Sequence, residues 1–536
     1  MKLPSAHRAF EAVEAQLPGP LLELMKRRYR RERRTRPLHS GHDDLDEVRR
    51  RAPRVAAIGE VAPLPFTVRR FGATAARPEH RPDVCLVGPG PLDPVLDTLF
   101  ASEREAIPLV CVASSAEDLG SEVAGCATAL VVPSEELADQ AAHIVPREFV
   151  AVGATAVATR GLPVAALRAS TGTQILVEPS DARSRTLSAA LHGGPAVVQL
   201  GTDATLPALV SWAEQAVALL VPGPDAPGHV WSRAAVLAAC GVPIVGDTAS
   251  DHPLHGLVAS ITANDLLPAD PIRGLQRLAT DATTARIAAV RSRRYALAHL
   301  SAGAFVRRIL RVSRLPTTAA SVSVVVRVND RATLSEARAS LTRQRLEPHD
   351  VVVVAPVELL GAVRPLVEAL PWTTRVVAAD QQWLKRAVRA TSGRYLAFLD
   401  ARHGYGPDHL GDLLASLEST GASMVGRHAH FGHDTESGRF ALVPGVEEGA
   451  AEHLVPGSTL TVRNLAIRCV GDRRVRSELD LQRRLRHRGG ELYALHPFGF
   501  LRRGDLPEGT HGTVTDVAWH IVFPEGDGGT PLATIP

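Results

Sequence analysis

The stretch SVSVVVRVNDRATLSEARASLTRQRLEPHDVVVV, residues 321–354, decides the fold class of this chain. Two valine runs flank a segment of helical spacing that places Leu334, Ala337 and Leu341 on one face. Near-continuous apolar runs are typical of strands covered on both faces, and a helix between two such strands forms the βαβ unit of a parallel sheet. The stretch therefore predicts an α/β fold.

Similar apolar runs continue the pattern in both directions. They include DVCLVGPGP, IPLVCVAS, TQILVEP and AVVQLG upstream, and TRVVAA, RYLAFLD and ASMVG downstream. One long helix is predicted over Thr283–Val312, and SRLPTTAAS after it has the composition of a linker. The predicted units are a short helical segment over 1–50, α/β units over 51–165 and 166–312, a linker over 313–321 and an α/β domain over 322–536.

Composition excludes several classes of protein. The 536 residues carry 60 basic and 57 acidic side chains, a net charge of +3, which gives no case for nucleic acid as the main partner. Five scattered cysteines without a CxxC motif argue against a disulfide framework or a zinc site. No run is apolar enough to span a bilayer, so we expect a cytoplasmic protein. The basic run over 24–36 is either a solvated helix face or a peripheral membrane contact.

RYLAFLDARHGYGPDHL, residues 394–410, carries the main candidate site. The apolar run ends on Asp400, and open α/β sheets bind ligands at the carboxyl ends of their strands. The strand of residues 321–328 ends in the same way, on Asn329 and Asp330. We therefore expect Asp400 at the position where such a sheet binds its ligand.

Residues 321–495, about a third of the chain, resemble the inverting family-2 glycosyltransferases of GT-A fold. That family has a first strand with an Asn-containing turn, and a later strand ending in Asp-x-Asp followed by a tyrosine and a proline, where this chain has Tyr405 and Pro407. The resemblance implies a nucleotide-sugar donor, an acceptor with a hydroxyl group, and a divalent metal, Mn or Mg, beside the diphosphate. It also implies donor-binding roles for Asn329, Asp330 and Asp400, with Asp400 as a ligand of that metal.

Two positions depart from the family pattern. Ala355-Pro356 stand where the family has an acidic pair that reads the nucleoside, and Arg402 stands where it has the second aspartate. Arginine cannot ligate a metal, but its guanidinium can grip a diphosphate in a bidentate manner. The site is therefore either metal-independent, with Arg402 and Lys385 or Arg386 binding the diphosphate, or catalytically retired.

RSELDLQRRLRHRGGELYA, residues 476–494, resembles the family segment that supplies the base for the acceptor hydroxyl. Glu478 falls on the base, and Asp480 lies two residues further on. The alternative is that both carboxylates only form an acidic helix start. His403, close to Asp400, is a further candidate metal ligand, although a polar loop without metal is the alternative.

SRAAVLAACGVPIVGDTASDHP, residues 232–253, resembles the donor-binding segment of GT-B glycosyltransferases of the spore-maturation type. Ala239, Cys240, Gly241 and Pro243 match the family, whereas Val236 occupies the position of its donor-binding glutamate. The two resemblances together imply GT-B-like Rossmann units followed by a GT-A-like domain.

The sequence thus favours a glycosyltransferase that moves a sugar from a nucleotide to a hydroxyl, by inversion. The second hypothesis is a degenerate binding or scaffold protein that supports an active partner. A third is that the GT-B-like unit is active and the C-terminal domain recognises the acceptor.

Overall fold

A computed structural model describes a large part of the chain. The described residues are 55–58, 84–88, 108–113, 115–133, 135–153, 174–178, 195–200, 205–221, 228–246, 248, 252, 254–262, 266–268, 270–314, 321–368, 370–472 and 474–506. The predicted helical segment 1–50, the basic run 24–36 and most of the predicted linker lie outside these ranges. Within them no helix is both long and apolar enough to cross a membrane, and all five cysteines are free thiols.

A five-stranded parallel sheet forms the first region, with its strands in sequence order. Its helices follow the strands, as expected for βα units. The elements are β1 (Val55–Ile58), β2 (Val84–Val87), β3 (Leu109–Val112), α1 (Ala116–Leu119), α2 (Glu122–Cys126), β4 (Ala129–Val132), α3 (Glu135–Ala141), a 3-10 turn (Arg147–Phe149) and β5 (Val150–Val152).

A four-stranded parallel sheet forms the second region. The elements are β6 (Gln174–Val177), β7 (Ala196–Gln199), α4 (Leu206–Ala213), β8 (Ala216–Leu220), α5 (Gly228–Ala239), β9 (Ile244–Val245), α6 (His255–Thr262) and α7 (Pro271–Thr280). The strand order in the sheet is β7-β6-β8-β9. Its strands match the apolar runs TQILVEP, AVVQLG, ALLVPG and VPIVGD of the sequence.

The long helix predicted over Thr283–Val312 is wrong as a single element. The structure has α8 (Ala282–Tyr295), a π-helical turn (Ala296–Leu300) and α9 (Ala302–Val312). Ser301 is extended, with ψ 156°, and its hydroxyl accepts the N–H of Ala304, so it caps a new helix. The break redirects the chain, because Phe305 and Ile309 of α9 pack on the first sheet, whereas Ala288 of α8 packs in the second region.

An eight-stranded mixed sheet dominates the third region, which also has a four-stranded sheet. The strands are β10 (Val322–Arg327), β11 (Asp350–Ala355), β12 (Thr373–Ala378), β13 (Tyr395–Asp400), β14 (Gly404–Tyr405), β15 (Met424–Arg427), β16 (His430–His433), β17 (Phe440–Val443), β18 (Gly449–Ala450), β19 (Ser458–Val462), β20 (Leu492–Leu495) and β21 (Phe500–Arg503). The order in the larger sheet is β12-β11-β10-β13-β19-β15-β20-β18, and the order in the smaller one is β14-β21-β16-β17.

Helices cover the eight-stranded sheet. Strands β10 to β13 are parallel, and the valines of β10 and β11 are buried, as the apolar runs predicted. Leu334, Ala337 and Leu341 are also buried, which confirms the predicted helix face. The helices are α10 (Arg331–Thr342), α11 (Leu360–Glu368), preceded by a 3-10 turn (Val357–Leu359), α12 (Trp383–Ala390), α13 (His409–Thr420), α14 (Arg463–Val470) and α15 (Glu478–His487).

Helix α8 joins the second region to the third. Arg294 donates from Nε to Oδ1 of Asp412 at 2.7 Å and from Nη2 to Oδ2 at 2.8 Å, and from Nη1 to Asp408 at 3.2 Å. Ile287 packs in one apolar cluster with Phe431 and Phe498 of the third region. Asp408 and Asp412 begin helix α13, directly after the loop that carries Asp400 and Arg402. The second region therefore anchors one end of the candidate site loop.

Candidate active site

Asp400 ends β13, and Arg402 turns back onto it. Arg402 donates from Nε to Oδ1 at 2.9 Å and from Nη2 to Oδ2 at 2.7 Å, and its backbone N–H also reaches Oδ1 at 3.1 Å. Burial disfavours the charged carboxylate, but the hydrogen bonds from Arg402 outweigh it and hold the pKa of Asp400 below its ordinary value. The Arg402 side chain remains 53% exposed, whereas that of Asp400 is 9% exposed. One side of the guanidinium therefore faces solvent.

Tyr405 fixes the backbone around Asp400. Its buried hydroxyl accepts the N–H of Asp400 at 2.8 Å and donates to the carbonyl of Gly457 at 2.6 Å. Gly457 has φ +78°, and a Cβ there would lie 2.9 Å from the Cβ of Asp400. Only glycine suits this position, because a side chain would be strained and would collide with the aspartate. The loop before β19 thus lies directly against the end of β13.

Glu478 lies on the other side of Gly457, at the first position of α15. Its Oε2 accepts the N–H of Gly457 at 2.8 Å, and its Oε1 accepts the hydroxyl of Thr459 at 2.6 Å. Burial raises the pKa of Glu478 to about 7; the two hydrogen bonds and Arg327 oppose this rise, and the charge of Asp400 adds to it. A buried carboxylate with a pKa near neutrality suits a general base.

Asp480 has a different environment. Ser477 is the N-cap of α15, and Asp480 completes a capping box by accepting the N–H and hydroxyl of Ser477 at 3.1 and 2.8 Å. Burial disfavours its charged form slightly, but these hydrogen bonds outweigh it and the pKa of Asp480 lies below its ordinary value. The helix-start alternative thus describes the contacts of Asp480 but not those of Glu478. The catalytic role of either residue stays a prediction.

In the described part of the chain, Asn329, Asp330 and Lys385 form no hydrogen bond with Asp400. Asp330 caps α10 by accepting the N–H of Thr333 at 2.7 Å, and the backbone N–H of Asn329 donates to the hydroxyl of Thr333. Lys385 is half-buried on α12. Arg386, the other cation considered from the sequence, pairs with Asp380 at 2.6 Å. The donor-binding roles of Asn329, Asp330 and Lys385 stay predictions.

The donor set around Asp400 does not fit a divalent metal. Both oxygens of Asp400 are held by the cation Arg402, and a guanidinium is not a metal ligand. His403 is 8% exposed, and burial lowers its pKa to about 4; its Nδ1 accepts the N–H of Arg503 at 3.4 Å. In the described ranges no three His, Cys, Asp or Glu side chains are grouped to hold a metal ion.

Four residues near the site were missed by the sequence analysis: Arg327, Trp383, Gly457 and Thr459. Arg327 ends β10 in register with Asp400, and its guanidinium carbon lies 5.5 Å from the centre of the Trp383 ring. A single arginine in a valine run was a signal for the first of them. Gly457 and Thr459 gave no local signal, because only the approach of β19 to β13 gives them their contacts.

A second carboxylate–guanidinium pair lies in the second region. Arg233 of α5 donates to Glu178, which follows β6, at 2.6 Å, and both side chains are buried. Val236, at the position of the GT-B family glutamate, is half-buried and packs against the apolar core.

Comparison with known proteins gives structural neighbours only. No family model and no curated protein matches the chain. The S. aureus TarS fragment 1-349 matches over 34% of this chain and 60% of that chain, at 14% identity and a TM-score of 0.27. Its complex with UDP-GlcNAc matches over 35% and 60%, at 15% identity and a TM-score of 0.28.

The mannosyltransferase PcManGT from Pyrobaculum calidifontis, in complex with GDP-Man and Mn2+, is a further structural neighbour. It matches over 38% of this chain and 61% of that chain, at 16% identity and a TM-score of 0.27. The neighbours are glycosyltransferases, and this chain spans about three fifths of their length. The likeness to these structures is slight.

Proposed function

We propose that the chain is a glycosyltransferase that moves a sugar from a nucleoside diphosphate to an acceptor hydroxyl. The acceptor oxygen attacks the anomeric carbon, and the bond from that carbon to the diphosphate breaks, leaving the electron pair on the diphosphate. Glu478 takes the hydroxyl proton. A single displacement inverts the anomeric configuration. The catalytic unit is the GT-A-like domain over 322–536, and the GT-B-like units over 51–165 and 166–312 precede it.

The support for a base at Glu478 is its position and its environment. Hydrogen bonds from Gly457 and Thr459 orient the carboxylate. The backbone of Gly457 lies between this carboxylate and Asp400. With a pKa of about 7 it is partly deprotonated at neutral pH and still basic enough to accept a proton. Asp480, by contrast, is engaged in capping α15.

The support for a donor site without metal is the Asp400–Arg402 pair. Asp400 holds two donor groups of Arg402 and fixes the plane of the guanidinium, while the exposed side is open to a ligand at the carboxyl edge of the sheet. This single observation carries the proposal: the guanidinium is oriented and permanently charged, and the resemblance implies a diphosphate beside Asp400.

Donor binding is the first test. Calorimetric titration with UDP, GDP and ADP, each with EDTA and with Mn²⁺, should give a complex with one of them that needs no metal. Arg402→Ala should weaken that complex about tenfold or more, since charged hydrogen bonds contribute about 1.5–3 kcal/mol. A protein that binds none of the three, or binds only with Mn²⁺, contradicts the proposal.

Turnover is the second test. The donor is a nucleotide sugar of whichever nucleoside diphosphate binds. With it, Glu478→Gln should lower the rate of hydrolysis or transfer by roughly 10²–10⁴-fold while leaving donor affinity nearly unchanged. Glu491→Gln, an exposed residue outside the site, is the matched control. Asp480→Asn separates the two candidate bases, and a loss confined to that variant would assign the base to Asp480 instead.

A binding or scaffold protein is the second candidate function. One observation favours it: both oxygens of Asp400 and both oxygens of Glu478 already accept hydrogen bonds from the protein itself. Nucleoside diphosphate binding without hydrolysis or transfer of any nucleotide sugar, in the wild-type protein, would support this candidate over the enzyme.

A further inference from the structure

Arg327 is the one charged residue in the valine run of β10. The five residues before it in the strand are buried, whereas Arg327 is exposed. An arginine at the end of a buried strand of a parallel sheet lies at the edge where such sheets bind ligands. Arg327 therefore lies at the same edge of the sheet as Asp400.

Two contacts fix where the Arg327 side chain lies. Arg327 and Asp400 are register partners in neighbouring parallel strands, so their side chains project to the same face of the sheet. The guanidinium lies over the ring of Trp383 at 5.5 Å, within the range of a cation–π interaction. Arg327 is also close enough to Glu478 to lower its pKa. The guanidinium is thus held by an aromatic face in the neighbourhood of both candidate site carboxylates.

The charges at this edge decide what Arg327 can do. Arg402 is neutralised by Asp400, and Arg386 is neutralised by Asp380. Arg327 forms no ion pair with any carboxylate of the described residues. Lys385 has none there either, but no contact brings it to Asp400. A diphosphate that leaves as a dianion or trianion needs more positive charge than a neutral Asp400–Arg402 pair supplies.

We propose that Arg327 binds the diphosphate of the donor and supplies the uncompensated positive charge beside it, with Trp383 holding its guanidinium in place. This inference rests on the proposed function and names a second cation for that site. Arg402 orients the diphosphate, and Arg327 offsets the charge that develops on it when the bond to the anomeric carbon breaks. Guanidinium groups suit this role, since they bind phosphate oxygens through two parallel N–H donors.

The test separates an effect of Arg327 on the diphosphate from an effect on the nucleoside. Calorimetry in EDTA measures the affinities of the nucleoside and the nucleoside diphosphate for the wild type, Arg327→Ala, Arg327→Lys and Arg389→Ala. Arg327→Ala should weaken the diphosphate by about tenfold or more and the nucleoside by less than about twofold. Arg327→Lys keeps the charge but not the fork, so it should recover part of the loss. Arg389 is an exposed cation in the last turn of α12 and serves as control.

The outcomes are distinct. Equal losses of affinity for the nucleoside and the nucleoside diphosphate would show that Arg327 supports binding of the nucleoside instead, and would overturn this proposal. So would an unchanged affinity in Arg327→Ala, while the proposed function would stand if the wild type binds the diphosphate. A wild type that binds no nucleoside diphosphate overturns both. Because Arg327 is exposed, Arg327→Ala should have the same unfolding temperature as the wild type. If that temperature falls, the diphosphate affinity of Arg327→Lys tests the same proposal.

Discussion

Two carboxylate–guanidinium pairs lie at carboxyl ends of parallel strands, and they differ in how much water reaches them. In Glu178–Arg233 the side chains are 4% and 9% exposed, and the residues are 55 apart in sequence. In Asp400–Arg402 the carboxylate is 9% exposed but the arginine is 53% exposed, and the residues are two apart. The N–O distances are nearly equal, 2.6 and 2.7 Å.

The difference separates a structural pair from a candidate ligand site. Glu178–Arg233 joins the end of β6 to α5, and its burial leaves little of either group for a ligand. Asp400–Arg402 is local, joins no separate elements, and presents the outer side of a guanidinium to solvent. Removing a partner from the first pair should mainly destabilise the fold, because a buried charge loses its ion pair. Removing Arg402 should mainly affect binding.

The largest expected effect comes from the buried pair. Arg233→Leu should lower the free energy of unfolding by about 3–5 kcal/mol, because the buried charge of Glu178 would then lose its ion pair at 2.6 Å. Urea denaturation followed by circular dichroism measures this loss. Nucleoside diphosphate binding in the C-terminal domain should persist at concentrations of urea where the variant is folded. A loss of unfolding free energy under about 1 kcal/mol would mean that the pair contributes no more than an exposed ion pair.

The second effect is the pH dependence of stability from Glu478. Burial raises its folded pKa from 4.5 to about 7, so the folded state binds a proton more tightly than the unfolded chain. That contribution is fully present below pH 4.5 and is lost as the pH rises through 7. One pKa unit corresponds to about 1.4 kcal/mol, so the loss is about 3 kcal/mol.

Glu478→Gln provides the measurement. Its free energy of unfolding should fall less than that of the wild type between pH 4.5 and pH 8, and at pH 8 the variant should be the more stable protein. Parallel pH slopes for the two proteins would show that the Glu478 pKa is not raised. In the same range the wild-type rate of transfer should rise with pH, since a base must be deprotonated.

Local signals in the sequence predicted the strands, the helix faces and the positions of Asp400 and Glu478 at element ends. Valine runs and the spacing of Leu334, Ala337 and Leu341 sufficed, because burial follows periodicity. The break at Ser301 was missed, since helical propensity continues through it and only packing on a different sheet requires it. The contacts of Glu478 with Gly457 and Thr459 were missed as well, because they depend on strand pairing between distant segments.

The hypothesis that Arg402, with Lys385 or Arg386, takes the place of a metal stays a prediction, and the sequence alone could not supply its geometry. The sequence shows a cation two residues after a carboxylate but does not show that the two form a closed pair. That pair is neutral, and the proposal for Arg327 at the same edge rests on the register of β10 and β13, which the sequence does not show.

The third effect is the stability of the open pair. Arg402→Ala should cost about 1 kcal/mol at neutral pH, because its half-exposed guanidinium is screened by water. The folded pKa of Asp400 is depressed, so the pair stabilises the fold above the ordinary carboxyl pKa and less as the pH falls. The deficit of the variant should therefore shrink at low pH. An NMR titration of the Asp400 carboxyl carbon should show a higher pKa in Arg402→Ala than in the wild type.

The smallest effect, and the sharpest for the comparison, is a gained metal site. Arg402→Asp removes the cation that occupies both oxygens of Asp400 and adds a second carboxylate two residues later, which is the ligand type that Mn²⁺ prefers. At a free Mn²⁺ concentration equal to Kd, the gain in stability is only about 0.4 kcal/mol, so calorimetry of Mn²⁺ binding is the better measurement. Arg402→Asn, which removes the cation without adding a charge, is the control. Binding by Arg402→Asp alone would show that Arg402 keeps a metal out of this site, and equal binding by all three proteins would contradict that role.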